Sequence, residues 1–174
     1  MGLGKQSKIL TDKQVKTMLL HLSTTRMSIR NQLIFLLSVK SGLRSKEISR
    51  VRWNMAVDSN KDVKVLLLEL FDIEKQRYDF DINTSNVIRT ERSKHSSPQS
   101  IVNMFQRWYS DLEFIGCSSH SGRRTFITNL SKKISLVGGS LRDIQSLVGH
   151  KNLQTTQRYI EVDTDCQRKL VNLI

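Results

Sequence analysis

Proline occurs once in the 174 residues, at Pro98, and cysteine only twice, at Cys117 and Cys166. So few breakers argue against a fold of many short strands and tight turns, and two thiols cannot staple a small secreted scaffold. Long apolar runs are missing too: Leu33 to Leu37 and Val65 to Leu68 are the longest, far below the roughly 20 residues a membrane-spanning helix needs. No signal peptide opens the chain, and M-G-L-G-K-Q-S places Gln6 where a myristoylation signal carries Ser or Thr. These absences predict a cytoplasmic protein with no membrane partner. Acidic residues are the last scarcity. Sixteen Asp and Glu face 28 Lys and Arg, a formal charge of +12, which is the electrostatic footprint of a polyanion partner.

The charge is unevenly spread. Residues 1–52 carry 11 basic and 2 acidic side chains (net +9), residues 53–88 carry 4 and 7 (net −3), and residues 89–174 carry 13 and 7 (net +6). Apolar residues recur mostly at three- and four-residue spacing, so the fold class expected is mainly α. After a basic N-terminal tail, residues 1–10, Thr11 and Gln14 form a capping box for a helix with Val15, Met18, Leu19 and Leu22 on one face. A second helix is predicted over 27–40 with Gly42 as its left-handed stop, and Ser45 as cap of a short third. Residues 62–77 read as helix, although V-K-V-L-L-L-E-L-F also suits a strand, and 86–90 as a short extended piece. Ser97-Pro98 opens a helix bearing Ile101, Phe105 and Trp108; others start near His120, Ser140 and Asn152, and a last one is predicted over 164–173. With no repeat and no linker, residues 11–174 read as one domain.

Four basic or imidazole side chains and one phenol stand at helix ends or in first turns: Arg44, His120, Arg123, His150 and Tyr159, the last on the helix that Asn152 caps. Backbone N–H groups at such positions favour an anion. A tyrosine hydroxyl can attack a phosphodiester if cations hold the phosphoryl oxygens and a base assists, because a phenol with a pKa near 10 is a poor nucleophile at neutral pH. A zinc site from Cys117, His120, His150 and Cys166 is the competing reading. Its second pair is separated by sixteen residues, unlike the short pairs of structural zinc sites, and no metal or other cofactor is expected.

Three segments, S-G-L-R-S-K-E-I, H-S-G-R-R-T-F-I-T and L-V-G-H-K-N-L-Q-T-T-Q-R-Y-I, resemble, in order, the signature blocks of the tyrosine recombinase (phage integrase) catalytic domain. The resemblance runs from about Leu10 to Val162. It implies that Arg44 and Arg123 clamp the scissile phosphate, that His120 and His150 contact it or move protons, and that Tyr159 is the nucleophile. Glu47 occupies the family's acidic position. The implied activity is site-specific cleavage and rejoining of double-stranded DNA through a 3′-phosphotyrosine, by a homo-oligomer on DNA and without cofactor, in the service of a mobile element.

Two departures accompany the resemblance. Relatives carry a lysine on a β-hairpin between the first arginine and the H-x-x-R block, which protonates the leaving 5′-oxygen. No such hairpin is legible here; Lys61, Lys64 and Lys75 are candidates by order alone, in the one segment with negative net charge. The small β-sheet is therefore expected to be reduced, and a degenerate DNA-binding relative with impaired turnover is the alternative. A separate N-terminal core-binding domain is also not expected.

Overall fold

A computed structural model describes residues 6–56, 61–77, 79–91 and 93–159. It is mainly helical, and the chain divides into two compact units, residues 1–126 and 127–174.

In the first unit, residues 6–10 lie along the protein: the Lys8 N–H donates to the Gly116 carbonyl at 3.0 Å, and the N–H of buried Leu10 donates to Thr125 Oγ1 at 2.8 Å. Helix α1 (Asp12–Ser23) starts with the expected Thr11–Gln14 capping box and buries Met18 and Leu22. Helix α2 (Ser28–Val39) is apolar nearly all round, with Leu33, Ile34 and Phe35 fully enclosed, because it packs against both α1 and α4. Helix α3 (Ser45–Ile48) follows within a few residues. Its cap is Arg44, not the predicted Ser45, which is the first helical residue.

The ambiguous segment resolves as helix α4 (Lys61–Glu74), with Val63, Leu67 and Leu70 turned inward. Before it, a single 3-10 turn (Trp53–Met55) sets Trp53 edge-on against Phe71 and Phe80, at centroid distances of 5.4 and 6.2 Å. The expected extended piece survives as an isolated antiparallel bridge between Arg52 and Asn86, flanked by a bond from the Val87 N–H to the Val51 carbonyl at 2.9 Å. Among the described residues no strand forms. Helix α5 (Pro98–Asp111) has Ser97 accepting from the Ser100 N–H at 3.0 Å, and it buries Ile101, Phe105, Trp108 and Tyr109. Each such side chain contributes about 1.5–3 kcal/mol on burial, so α5 anchors this core.

Helix α6 (Ser121–Lys133) begins in the first unit and ends in the second. The second unit continues through a 3-10 turn (Ile134–Val137), helix α7 (Leu141–Val148), capped by Ser140 with Asp143, and helix α8 (Leu153–Gln157), capped by Asn152. Among its described residues, Ile127, Ile144 and Val148 are the buried apolar ones, joined by buried Thr128, His150 and Thr156. The helix predicted over 164–173 lies outside the described residues. Among those residues, no helix is long and apolar enough to cross a membrane.

Candidate active site

Residue 42 must adopt φ +66° to turn the chain out of α2, a conformation only glycine takes without strain. The turn places Arg44 directly before α3. Its N–H donates to Glu47 Oε2 and its guanidinium to Glu47 Oε1, both at 2.7 Å. Arg123 arrives from the first turn of α6 with a side chain only 5% exposed. It donates through Nη1 to the Gly42 carbonyl at 2.6 Å and stands 3.8 Å from Glu47 Oε2. One carboxylate thus gathers two guanidiniums drawn from positions 79 residues apart in sequence.

Burial alone would push the Glu47 carboxyl pKa up. The N–H and side chain of Arg44, and the charges of Arg44 and Arg123, outweigh it and hold the group below the usual carboxylate range. Glu47 therefore stays ionised and keeps both cations in place, an arrangement that can receive an anion without a long side chain having to be frozen on its arrival.

His120 stands one turn ahead of Arg123, at the start of α6. Its N–H donates to Ser118 Oγ at 3.2 Å, its carbonyl accepts from the Arg124 N–H at 2.9 Å, and its side chain is exposed. The backbone is pinned and the imidazole faces solvent, a suitable arrangement for a group that exchanges protons with a bound substrate.

In the second unit, Gly149 closes α7 in the left-handed conformation and His150 follows, buried. Its Nδ1 lies 3.0 Å from Thr156 Oγ1, and its carbonyl accepts from Gln145 Nε2 at 2.9 Å. The ring stacks on Tyr159, with centroids 5.5 Å apart and planes 23° from parallel. Tyr159 is half-buried, and its carbonyl accepts from Thr128 Oγ1 at 3.0 Å. The contact fits either tautomer of the ring; in the one where the Thr156 hydroxyl donates to Nδ1, the imidazole hydrogen sits on Nε2, where it can be given to an anion. Thr156, Thr128 and the Gly42 carbonyl escaped the sequence reading. A threonine six residues past a histidine carries no signal in a string, and a main-chain acceptor carries none at all.

The lysines taken from sequence order sit on or just after α4, not on a strand pair: Lys64 is exposed on the helix, and Lys75 is engaged by Asp72 at 2.6 Å. A different segment doubles back. The Thr90 N–H donates to the Ser93 carbonyl and the Ser96 N–H to the Ile88 carbonyl, both at 3.1 Å. This reversal presents Lys94, whose side chain is 74% exposed and whose Nζ is 3.4 Å from Asp79. Asp79 also accepts from buried Arg89 at 2.8 Å, and Arg89 stands 3.7 Å from buried Glu74, so the base of the reversal is fastened to α4 by charge.

Residues 70–165 match the model of the phage integrase family. The chain belongs to that family. Tyrosine recombinase XerA of Thermococcus onnurineus (strain NA1) is 30% identical over 178 residues, covering 93% of this chain and 61% of that protein. This phage integrase family chain thus spans about three fifths of the length of the curated relative. Among solved structures, the Tn1549 transposon integrase in complex with a circular intermediate DNA is similar with TM-score 0.77 at 14% identity, covering 99% of this chain and 67% of that one. The XerA recombinase crystal structure gives 0.74 at 18%, covering 99% and 66%. At these identities the structural likeness establishes the fold. The family match takes in His120, Arg123, His150 and Tyr159; Arg44 precedes it and is tied to Arg123 by the contacts of Glu47.

Proposed function

We propose that this phage integrase family chain is the catalytic part of a site-specific recombinase acting on double-stranded DNA. The observation that carries the reading is the gathering of Arg44 and Arg123 on one ionised carboxylate. Two fixed guanidiniums spread positive charge over the non-bridging oxygens of a phosphodiester, and each donor aimed at the developing charge is worth about 2.7–4 kcal/mol by analogy with oxyanion-hole deletions. Tyr159 Oη attacks phosphorus as its proton passes to a base, for which His120 is the exposed candidate. The bond to the 5′-oxygen breaks, leaving a 3′-phosphotyrosine and a 5′-hydroxyl. His150 donates to the phosphoryl group through Nε2. Rejoining is the reverse attack by a 5′-hydroxyl, so bond energy is conserved and no nucleotide or metal is consumed.

The departing oxygen needs a proton. We assign this to Lys94, on the reversal closed by the bond from the Ser96 N–H to the Ile88 carbonyl, in place of Lys61, Lys64 and Lys75. Exchange of strands between two duplexes needs more than one nucleophile, so the working form is a homo-oligomer on DNA, acting in the cytoplasm for a mobile element. Its catalytic domain is residues 11–174. The names of the relatives support the substrate: XerA is a tyrosine recombinase, and the Tn1549 integrase was solved with DNA.

A duplex nicked close to the cleaved phosphate loses its short leaving fragment and traps the covalent complex. The chain is expected to give a DNA-linked band on denaturing gels, and Tyr159→Phe none. An equal yield from Tyr159→Phe would refute the assignment. Lys94→Ala is expected to lower adduct formation by about 10²–10⁴, the usual weight of a general acid. A 5′-thiol leaving group, which departs without a proton, should restore Lys94→Ala to the wild-type rate; failure of that rescue removes Lys94 from the role.

A further inference from the structure

The end of α2 opposite Arg44 opens on a second cationic site. A cavity of about 560 Å³ lies between the end of α1, the start of α2, the 90–91 segment and α5. Three guanidiniums line it, from Arg26, Arg30 and Arg107, together with the His21 imidazole; the opposing charges are Glu91 and Asp111. Those two are already engaged: Glu91 with Arg26 at 2.9 Å and Asp111 with His21 at 3.5 Å. Arg30 and Arg107 have no carboxylate within ion-pair distance among the described residues. Arg30 is not a swinging surface group. Its Nε and Nη2 donate to Asn31 Oδ1 at 3.2 and 2.9 Å, and its Nη1 to the Arg89 carbonyl at 3.1 Å. Burial lowers its pKa against the opposing pull of Glu91, so the charge is held where water solvates it poorly.

The start of α2 adds to this. Met27, which lines the cavity, provides no side-chain cap and the first turn carries no acidic residue, so the leading N–H groups, Ser28 and Ile29 among them, have no acceptor within the helix and carry the positive pole of its 12 residues. We infer that this cavity is an anion site, separate from the Arg44–Arg123 pair by the length of α2, which takes a phosphate group on Arg30, Arg107 and the first amides of α2. The helix sets that separation at about 18 Å. Trp108 lines the cavity but is only 4% exposed, so no ring face is available to stack a base. The site selects phosphate without selecting a nucleobase. Its ligand is either a soluble phosphate compound or the backbone of DNA, and the chemistry of recognition is the same for both. The inference does not depend on the recombinase reading.

The test follows the backbone amides of Ser28 and Ile29 in the isotope-labelled full chain by NMR, at ionic strength held constant with chloride. Inorganic phosphate, thymidine 5′-monophosphate and a 12-base-pair duplex are added in separate titrations. Saturable shifts with phosphate and with the mononucleotide are expected, and Arg107→Gln should weaken both about five- to tenfold, the loss of one charge-assisted contact at an exposed side chain. Arg107 is exposed, so the variant keeps the fold; Arg44→Gln should titrate as wild type at these amides. Displacement of the same amides by the duplex identifies DNA backbone as the ligand, and their indifference to it identifies a soluble phosphate compound. Absence of saturation with phosphate and mononucleotide, or a wild-type titration of Arg107→Gln, overturns the site.

Discussion

Thr156→Val isolates the contact that orients His150. Thr156 is fully buried, and its Oγ1 lies 3.0 Å from Nδ1 of His150, a residue that is 7% exposed. Valine preserves the shape and removes the hydroxyl, so Nδ1 is left facing a methyl group. An unsatisfied buried polar atom costs roughly 1–3 kcal/mol. Taking about 2 kcal/mol, and about 2–4 °C per kcal/mol for a chain of this size, the melting temperature should fall by about 4–8 °C. The effect on activity should be larger in proportion. The imidazole loses the bond at Nδ1 that helps to set its tautomer and orientation, and loss of an orienting contact of this kind typically costs about 10–100-fold. The assay is the initial rate of adduct formation on the nicked duplex, at saturating DNA and well below the melting transition. Thr156→Ser keeps the hydroxyl and loses one methyl, so it should cost about 1 kcal/mol of stability while holding the rate within roughly threefold of wild type. If Thr156→Val cleaves as fast as wild type, or if the serine and valine variants lose activity equally, the Thr156 hydroxyl does not orient His150.

Two further expectations concern the arginine pair. Because the Glu47 pKa is lowered in the folded chain, its stabilising contribution is complete above the ordinary carboxylate pKa and is lost as pH falls through the lowered value. Thermal melts of wild type and Glu47→Gln should therefore differ at neutral pH and converge as pH falls below the ordinary carboxylate range; a gap that stays constant on acidification would contradict the ionised carboxylate. Gly42→Ala introduces both a strained φ and a Cβ that runs into the Phe126 ring. It should lower stability by at least about 1 kcal/mol in denaturant titrations. It should also slow adduct formation, since the displaced carbonyl is the one that holds Arg123.

Much of this was legible from the string where the determinants are local. Thr11 with Gln14, Ser97 with Pro98, Ser140, Asn152 and the stops at Gly42 and Gly149 all act within one helical turn, and each delimits a helix in the structure. The start of α3 was misplaced by one residue, because the deciding group is Glu47 reaching back to the Arg44 N–H and not the hydroxyl of Ser45. The segment 62–77 was ambiguous because V-K-V-L-L-L-E-L-F suits either period. Burial of Val63, Leu67 and Leu70 along one side, with Trp53 and Phe80 closing on Phe71, settles it as helix. The reversal bearing Lys94 went unseen for the opposite reason: it is fastened by Arg89, Asp79 and Glu74, whose pairing across 15 residues has no periodicity to betray it.

The two arginines gathered by Glu47 differ in what the fold asks of them. At residue 44 the start of α3 is held by a main-chain N–H, and the side chain, 39% exposed, supplies only the second bond to Glu47. Any residue but proline can supply that N–H. Arg123 is 5% exposed, and its guanidinium ties α6 to the Gly42 turn. Mutational drift therefore meets two different barriers in one constellation. Descendants that lose Arg44 remain folded and keep their basic surface, whereas those that lose Arg123 are removed for instability before chemistry is ever tested. Inactive relatives of this chain should accumulate substitutions at position 44 sooner than at position 123, and Arg44→Gln is the variant from which to build a stable binding-only form.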